Sequence, residues 1–342
     1  MTDDAVLALD AGQSGVRARA IEPGAPRRQV ELDAVRTNMP VLPQLAQRAA
    51  QAVTALWPDA TPGNLGLAVG STGLATDETA AALLAAVRGT NMTGTSAGDA
   101  GSATVRRVAL AHDAITCYLG ALGDRDGVMV AAGTGVVTLS AGPKGVARVD
   151  GWGHVLGDDG SGFWIGREGL RAVMRAYDGR GPATALTPHM QADFPHLDDA
   201  YLTVQRDPDW VRHIASFAKT IAELASHDAV CDHIIREAAD RLATAALVAL
   251  NRSGELMADP TPTVAALGRC FDGALLRATF ETRLREHLAD PGSLEGPHTA
   301  RGGLTQTQPR FAPALGDALD GAAALFDLAP SNPLYTQVRW AD

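Results

Sequence analysis

The stretch LALDAGQSGVRARAI, residues 7–21, consists of an apolar segment, a Gly-rich turn and a second apolar segment. Residues 128–140, VMVAAGTGVVTLS, have the same plan. Each stretch predicts a β-hairpin whose turn lacks bulky side chains, so that its backbone N–H groups can approach an anion. Gly-rich turns also occur in hairpins for purely structural reasons, so neither stretch alone identifies a phosphate site. Together they favour a nucleotide held by two related halves of the chain.

Two polar residues in these stretches have the chemistry that a nucleotide site needs. Asp10 ends the first apolar segment, where a charge in a concave site is costly unless it has a function. Thr134 stands between Gly133 and Gly135, and its hydroxyl suits a phosphate oxygen. The two turns are therefore the candidate phosphate loops.

Length and composition limit the class of protein. The chain has 342 residues, which is long enough for two domains with separate cores. Its net charge of −10 argues against nucleic acid and anionic membranes as partners. The N-terminal stretch MTDDAVLALD lacks the basic segment of a secretory signal, and the uncharged residues 128–143 are too short to span a bilayer. These features predict a cytoplasmic protein.

The three cysteines, Cys117, Cys231 and Cys270, are widely spaced and form no disulfide, zinc or iron–sulfur pattern. His227 and Cys231 stand four residues apart and could share a metal on a helix. No third and fourth ligand follow at suitable spacing, so we predict a solvated helix start instead.

The order of predicted elements repeats once along the chain. Each half begins with three strands, at about 5–10, 16–21 and 29–36 and again at about 127–132, 136–141 and 145–150. Helices and strands alternate after each set, with a largely helical stretch at 210–253 and a strand at 263–267. This plan predicts an α/β protein of two ribonuclease-H-like domains with an interdomain cleft. The predicted domains are residues 1–111 and residues 112–313 with a helical insertion, and a C-terminal helix at about 314–327 is expected to pack on the first.

Residues 150–170, DGWGHVLGDDGSGFWIGREGL, contain seven glycines and cannot form one regular element. They predict a sharply folded loop and a helix that begins near Ser161. The loop is either a structural Ω-loop or a recognition loop for sugar hydroxyls. In the second case Asp158 accepts sugar O–H groups and the backbone at Gly151 makes further contacts.

Asp113 follows the apolar segment of VRRVALAHDAITCYLGAL, residues 105–122. At this position it either caps the next helix or acts as a general base. In the second role its carboxylate must face the phosphate donor and accept a hydroxyl proton.

Four stretches together resemble the BadF/BadG/BcrA/BcrD ATPase family: LDAGQSG, LAHDAITCYLGAL, VAAGTGVVTLSAG and GWGHVLGDDGSGFWIGREGL. Within that family they resemble the N-acetylglucosamine kinase branch of the actin/hexokinase/Hsp70 fold. The resemblance extends from about residue 5 to 327, and the last stretch is the most specific. It implies an ATP-dependent sugar kinase that binds Mg·ATP through two phosphate loops and an adenosine loop, with the sugar in the interdomain cleft.

The resemblance implies a role for individual positions. Asp10 resembles the acid that positions Mg²⁺, usually through water, and Asp113 resembles the catalytic base. The other implied positions contact nucleotide or sugar: Gly12, Gln13 and Ser14 in the first phosphate loop, Gly133, Thr134 and Gly135 in the second, Gly268 and Arg269 in the adenosine loop, and Asn38, Gly151 and Asp158, together with Asp113 and Thr134, for the sugar.

Two departures from the family pattern concern the nucleotide. The first loop usually reads DGGGTKT, whereas here it reads DAGQSGV, so Gln13 narrows the turn and Gly15 stands where a lysine is common. The adenosine loop usually begins Gly-Gly, whereas here Arg269 follows Gly268 and can crowd or stack on the purine. The sequence therefore defines the reaction, phosphoryl transfer, better than it defines which nucleotide is the donor.

The family also contains activators of acyl-CoA reductases and dehydratases, which carry a cysteine-ligated iron–sulfur cluster at a dimer interface. This chain has no cysteine near the expected positions, which excludes that branch.

We therefore predict a cytoplasmic kinase of an amino sugar, N-acetylglucosamine, that forms the 6-phosphate. The acceptor alternatives are glucosamine, glucose and a muramic-type sugar, and a non-catalytic sugar sensor is the alternative from another class. The free ammonium of glucosamine would require a carboxylate such as Asp150 or Asp159. The resemblance also implies a homodimer.

Overall fold

The computed structural model describes residues 5–59, 62–75, 78–90, 103–289 and 307–342. The chain divides into two compact units. Unit 1 comprises Met1–Arg125 and Ala314–Asp342, and unit 2 comprises Asp126–Pro313.

The regular elements of both units are numbered in chain order. The strands are β1 (Ala5–Gly12), β2 (Gly15–Ile21), β3 (Arg28–Leu32), β4 (Asn64–Ser71), β5 (Thr104–His112), β6 (Gly127–Ala132), β7 (Val136–Gly142), β8 (Gly145–Val149), β9 (Thr263–Leu267), β10 (Arg310–Phe311) and β11 (Arg339–Ala341). The helices are α1 (Val41–Leu56), α2 (Ala80–Arg88), α3 (Asp113–Leu122), α4 (Gly162–Tyr177), α5 (Thr187–Asp193), α6 (Ala200–Arg206), α7 (Trp210–Leu224), α8 (Ala229–Ser253), α9 (Glu255–Ala258), α10 (Ala274–Ala289) and α11 (Ala318–Ala324).

The two sheets share one plan. In unit 1 the strand order is β11-β5-β4-β1-β2-β3, and in unit 2 it is β10-β9-β6-β7-β8. Strands β1 to β3 and β6 to β8 are antiparallel meanders, while β1, β4 and β5 are parallel, as are β6, β9 and β10. The repeated order of elements in the sequence and both predicted hairpins are therefore confirmed.

Strand β1 lies inside its sheet and is covered on both faces. Leu7 and Leu9 are fully buried in the core that includes Leu45 of α1. Ala8 points to the opposite face, because side chains alternate along a strand, and packs against Leu319 of α11. Helix α11 thus covers the face from which Asp10 also projects.

Helix α3 belongs to unit 1, whereas the predicted boundary preceded it at residue 112. The reason is its close packing against α11. A Cβ on Gly120 would lie 2.0 Å from the carbonyl oxygen of Asp317, and one on Gly321 would lie 1.8 Å from that of Thr116. Glycines on both helices therefore allow the two backbones to approach.

Strand β11 was not predicted from the sequence. It is three residues long and pairs antiparallel with β5, where Trp340 stands opposite Ala109. It forms the outer strand of the unit 1 sheet beside β5.

The core of unit 2 lies between its sheet and its long helices. The side chains of Phe271, Phe280, Leu242 and Leu250 are almost completely buried there. None of the described helices is both long and apolar enough to cross a bilayer.

Glu255, the first residue of α9, is a buried acid in unit 2, only 3% exposed. Burial, with the charges of Asp126 and Asp259, raises the pKa of Glu255 from 4.5 to about 7. The folded protein then binds this proton more tightly than the unfolded chain, so stability falls as pH rises from about 4.5 through 7.

We expect Glu255→Gln to abolish this loss of stability at high pH, because glutamine carries no charge. Its free energy of unfolding should exceed that of the wild type by about 1–3 kcal/mol at pH 8, with little difference near pH 4. Urea denaturation at both pH values measures the change, with the exposed Glu223→Gln as control. An equal difference at both pH values would show that the charge of Glu255 is not the cause.

Candidate functional site

The carboxyl ends of β1, β4 and β5 meet at one edge of the unit 1 sheet. Asp10 stands beside Gly70 in the register of β1 and β4, and Gly70 stands beside Ala111 in that of β4 and β5. Asp113 directly follows His112, the last residue of β5, and its negative charge contributes to a raised pKa of Asp10. The structure therefore brings together the two carboxylates that the sequence singled out.

The carboxylate of Asp10 is four-fifths buried and lies opposite Arg17 across the β1–β2 pair. Burial raises the pKa of Asp10, and the Arg17 guanidinium opposes that shift. Arg17 Nη2 and Nε lie 2.5 and 3.1 Å from the same oxygen, Oδ2. Among the described residues, no hydrogen bond reaches the other oxygen, Oδ1. Asp10 thus keeps one oxygen for a further ligand.

This donor set suits Mg²⁺ bound largely through water. The described residues contain no group of three or more His, Cys, Asp or Glu side chains that could hold a metal. Mg²⁺ commonly keeps several waters and binds through one or two carboxylates together with substrate phosphates. The Oδ1 atom of Asp10 therefore fits the role that the resemblance implies.

Asp113 is the first residue of α3, and the cap of that helix is His112. The His112 Nδ1 atom accepts a hydrogen bond of 3.2 Å from the Ala114 N–H, so the alternative that Asp113 caps the helix is wrong. Asp113 Oδ1 lies 2.7 Å from the same nitrogen. One nitrogen cannot accept from Ala114 and donate to Asp113 at once, so the two contacts are alternatives that depend on which ring nitrogen of His112 carries a proton. The side chain of Asp113 is one-third exposed and open to a ligand.

The first candidate phosphate loop is a two-residue turn closed by Gly12 and Gly15. Gln13 and Ser14 are exposed at its tip. The N–H of Val35 donates to the carbonyl of Gly12 at 3.2 Å and ties the segment that leads to the exposed Asn38 to the end of β1. Asn38, the candidate sugar contact, and the first candidate phosphate loop therefore belong to the same part of unit 1.

The second candidate phosphate loop is fixed by the start of α4. The N–H groups of Gly162 and Phe163 donate to the carbonyls of Gly133 and Thr134 at 2.7 and 3.0 Å. Within the loop, the Gly133 N–H donates to the carbonyl of Gly135 at 2.8 Å. The loop thus has a defined shape, and Thr134 is partly exposed on it.

The candidate adenosine loop packs against this phosphate loop. Gly268 has a φ of +89°, and a Cβ there would lie 2.3 Å from the carbonyl oxygen of Ala132. Cys270 Sγ lies 3.4 Å from the Gly133 carbonyl oxygen, and burial raises the pKa of this thiol to about 11. Arg269 is exposed between them. The sequence did not single out Cys270, whose contact joins the two candidate nucleotide loops.

The loop at 150–159 uses one acid to hold its own backbone. Asp150 Oδ1 accepts from the N–H groups of Gly151 and Asp158 at 2.6 and 2.8 Å, and Oδ2 accepts from that of Asp159 at 2.8 Å. The Asp159 carboxylate pairs with Arg241 at 2.8 Å. Asp150 and Asp159, the carboxylates suggested for a sugar ammonium, are thus already engaged.

Asp158 connects this loop to the second phosphate loop. Its φ is +61° and it is 8% exposed, and the backbone N–H groups of Val136 and Gly153 stabilise its carboxylate. Burial raises the pKa of Asp158. A Cβ on Gly135 would come within 2.7 Å of Asp158 Oδ2. Asp158 therefore has an anchoring role that the sequence did not predict.

The repeated sheets, each with a Gly-rich hairpin turn, define a two-domain actin-like ATPase fold, as predicted. The structure is similar to that of a candidate N-acetylglucosamine kinase from Chromobacterium violaceum, with a TM-score of 0.62, 22% identity, and coverage of 93% of this chain and 97% of that one. The chain belongs to the BadF/BadG/BcrA/BcrD ATPase family, whose sequence profile matches residues 68–320. The family resemblance is therefore confirmed.

Two curated relatives match parts of the chain. An N-acetylmuramic acid/N-acetylglucosamine kinase from Clostridium acetobutylicum is 31% identical over 141 residues, which are 40% of this chain and 46% of the relative. An N-acetyl-D-glucosamine kinase from Dictyostelium discoideum is 45% identical over 78 residues, which are 22% of this chain and 24% of the relative. The matches span less than half the length of either relative.

Proposed function

We propose that this protein is an ATP-dependent kinase of an amino sugar, with N-acetylglucosamine as acceptor and the 6-phosphate as product. The observation that carries the proposal is the pair of carboxylates, Asp10 and Asp113, at one strand edge of unit 1. Phosphoryl transfer to an alcohol uses one carboxylate near the metal and another that accepts the hydroxyl proton. The names of both curated relatives support a sugar acceptor.

In this proposal Asp113 takes the proton of the sugar hydroxyl. Its carboxylate is accessible and is not needed to cap α3, and the N-terminus of that helix stabilises its negative charge. Asn38 would contact the sugar, while Gly12, Gln13 and Ser14 would contact phosphate. Mg²⁺ bound with ATP would neutralise charge on the transferred phosphoryl group.

In unit 2 the nucleotide would be bound by residues 133–135 and by the loop that begins at Gly268 and Arg269. The packing of Gly268 and Cys270 on the phosphate loop supports a common role for these segments. The sugar would be bound by the backbone at Gly151 and by Asp158.

An assay of ADP release with several sugars tests the proposal. We expect the highest kcat/KM for N-acetylglucosamine, compared with glucosamine, glucose and N-acetylmuramic acid, and ³¹P NMR should identify the 6-phosphate. The engagement of Asp150 and Asp159 disfavours glucosamine, because its ammonium would lack these carboxylates. A preference for glucose would remove the amino-sugar assignment, and no ADP release with any sugar would contradict the kinase assignment.

A sugar-binding protein without turnover is the second candidate. The observation that favours it is the ion pair of Arg17 with Asp10, because that pair occupies one oxygen of the proposed metal-binding carboxylate. Calorimetric binding of a sugar without ADP release in the same assay would identify such a sensor.

We expect Asp158→Ala to raise the KM for sugar by roughly 5- to 150-fold, as for the loss of a hydrogen bond to a charged group in a desolvated site. The KM for ATP should change little. The control is Asp159→Ala, which removes a more exposed neighbouring carboxylate. If Asp158 only anchors the backbone of Val136 and Gly153, both KM values should change together and the melting temperature should fall.

The proposal places the protein in the cytoplasm as a homodimer without nucleic-acid or membrane partners. The net charge of −10 supports the absence of nucleic-acid and anionic-membrane partners, and the family resemblance supports the dimer. Sedimentation equilibrium tests the dimer, which requires twice the chain mass of 35.5 kDa.

A further inference from the structure

Two arginines project from β2 on the face opposite the core. Ala18 is fully buried in the core, and Arg17 and Arg19 on either side of it therefore point the other way. The side chain of Arg19 is 11% exposed and binds Asp317 at 2.7 Å and Asp320 at 2.9 Å. Arg19 is thus a buried structural cation that connects β2 to the start of α11.

Arg17 has a different environment. Its side chain is 40% exposed, and its Nε and Nη2 atoms both contact Oδ2 of Asp10. A second acid, Asp317, lies 3.9 Å from its Nη1 atom. Arg17 is therefore an accessible cation with contacts that another anion can replace.

Arg17 lies close enough to the first phosphate loop for its guanidinium to bind a phosphate held there. The turn GQSG, residues 12–15, carries no charge, and Gly15 stands where the resembled family commonly has a lysine. Arg17 lies two residues beyond Gly15, a distance of about 7 Å along a strand, which an extended arginine side chain can cover. A guanidinium recognises phosphate oxygens through two parallel hydrogen bonds.

We propose that Arg17 is the polyphosphate-binding cation of this protein. Without nucleotide it pairs with Oδ2 of Asp10, and its positive charge weakens the binding of free divalent cations at Oδ1. With nucleotide it moves to a phosphate, and both oxygens of Asp10 become available to the hydrated metal. This inference rests on the proposed function, since it assigns a residue to the same nucleotide site.

Because Asp10 is buried, the release of Arg17 from its carboxylate is coupled to the arrival of a metal ion there. Removing the cation from a buried carboxylate leaves an uncompensated charge, which is strongly unfavourable. Arg17 can therefore leave Asp10 only when another cation arrives, and its release is favoured when a phosphate is present to accept it. The site thus selects the metal–nucleotide complex over the metal alone.

Variants at Arg17 test the inference in the full-length protein. Arg17→Gln should bind free Mn²⁺ about tenfold more tightly in electron paramagnetic resonance titrations, and Mg·ADP about tenfold more weakly in calorimetry. Arg17→Lys keeps the charge and should restore most of both affinities. Arg28→Gln, which removes a half-exposed arginine paired with Glu22 on the same hairpin, is the control and should leave both unchanged.

Arg17→Gln is expected to change the Mn²⁺ and Mg·ADP affinities in opposite directions, which the loss of a purely structural contact would not do. If Arg17→Gln leaves both affinities unchanged, or weakens both together, the inference is overturned while the proposed function stands. If the double variant Arg17→Gln, Asp10→Asn still binds Mn²⁺ more tightly than the wild type, the effect does not act through Asp10 and the inference fails. If the wild type binds no Mg·ADP, the proposed function fails and the inference with it.

Discussion

Asp113→Asn is expected to lower kcat by about 10²- to 10⁴-fold with little change in the KM for sugar. The amide has nearly the same shape as the carboxylate but cannot accept the hydroxyl proton. Helix α3 should persist, because its cap is His112. Steady-state kinetics of ADP release measure the change.

The control for this variant is Asp124→Asn, which alters an exposed acid just beyond the same helix. It should retain wild-type kinetics, and both variants should match the wild type in circular dichroism. If Asp113→Asn keeps kcat within a few-fold of the wild type, Asp113 is not the base.

Asp10→Ala is expected to lower turnover by roughly 10³-fold or more, because the carboxylate proposed to position the metal is lost. The fold should survive, since Asp10 lies near the end of β1 and its partner Arg17 can reach water and Asp317. Turnover measured over a range of Mg²⁺ concentrations, with melting temperature as a check on folding, gives the result. Asp33→Ala, at an exposed acid of unit 1, serves as control. Wild-type turnover by Asp10→Ala at ordinary Mg²⁺ would refute the metal role.

The strand meanders were predictable because apolar segments of strand length flank Gly-rich turns. The partner of Asp10 was not predicted, although a signal was available. The two-residue turn closed by Gly12 and Gly15 places Asp10 opposite Arg17, and the alternation in VRARAI places Arg17 on the same face. Counting outward from the turn would have found this ion pair.

Other features depend on tertiary contacts that local patterns do not encode. His112 is the last residue of β5 through its pairing with Ser71, so α3 begins at Asp113, although aspartate is the commoner cap. In the loop at 150–159, the sequence could not tell which of Asp150, Asp158 and Asp159 would bind backbone N–H groups. Strand β11 is too short to carry a periodic signal, and its pairing with β5 defines it.

The discontinuity of unit 1 sets an order in which the chain can fold during synthesis. Ala314–Asp342 emerges from the ribosome only after all of unit 2, which is continuous and can fold first. Until then, Ala109 on the outer side of β5 lacks its partner Trp340, and Ala8 lacks the cover of Leu319. An unpaired strand edge beside an uncovered apolar face is a surface that chaperones and other nascent chains recognise. Truncation after unit 2 would therefore keep every candidate site residue and still leave the nascent protein prone to aggregation.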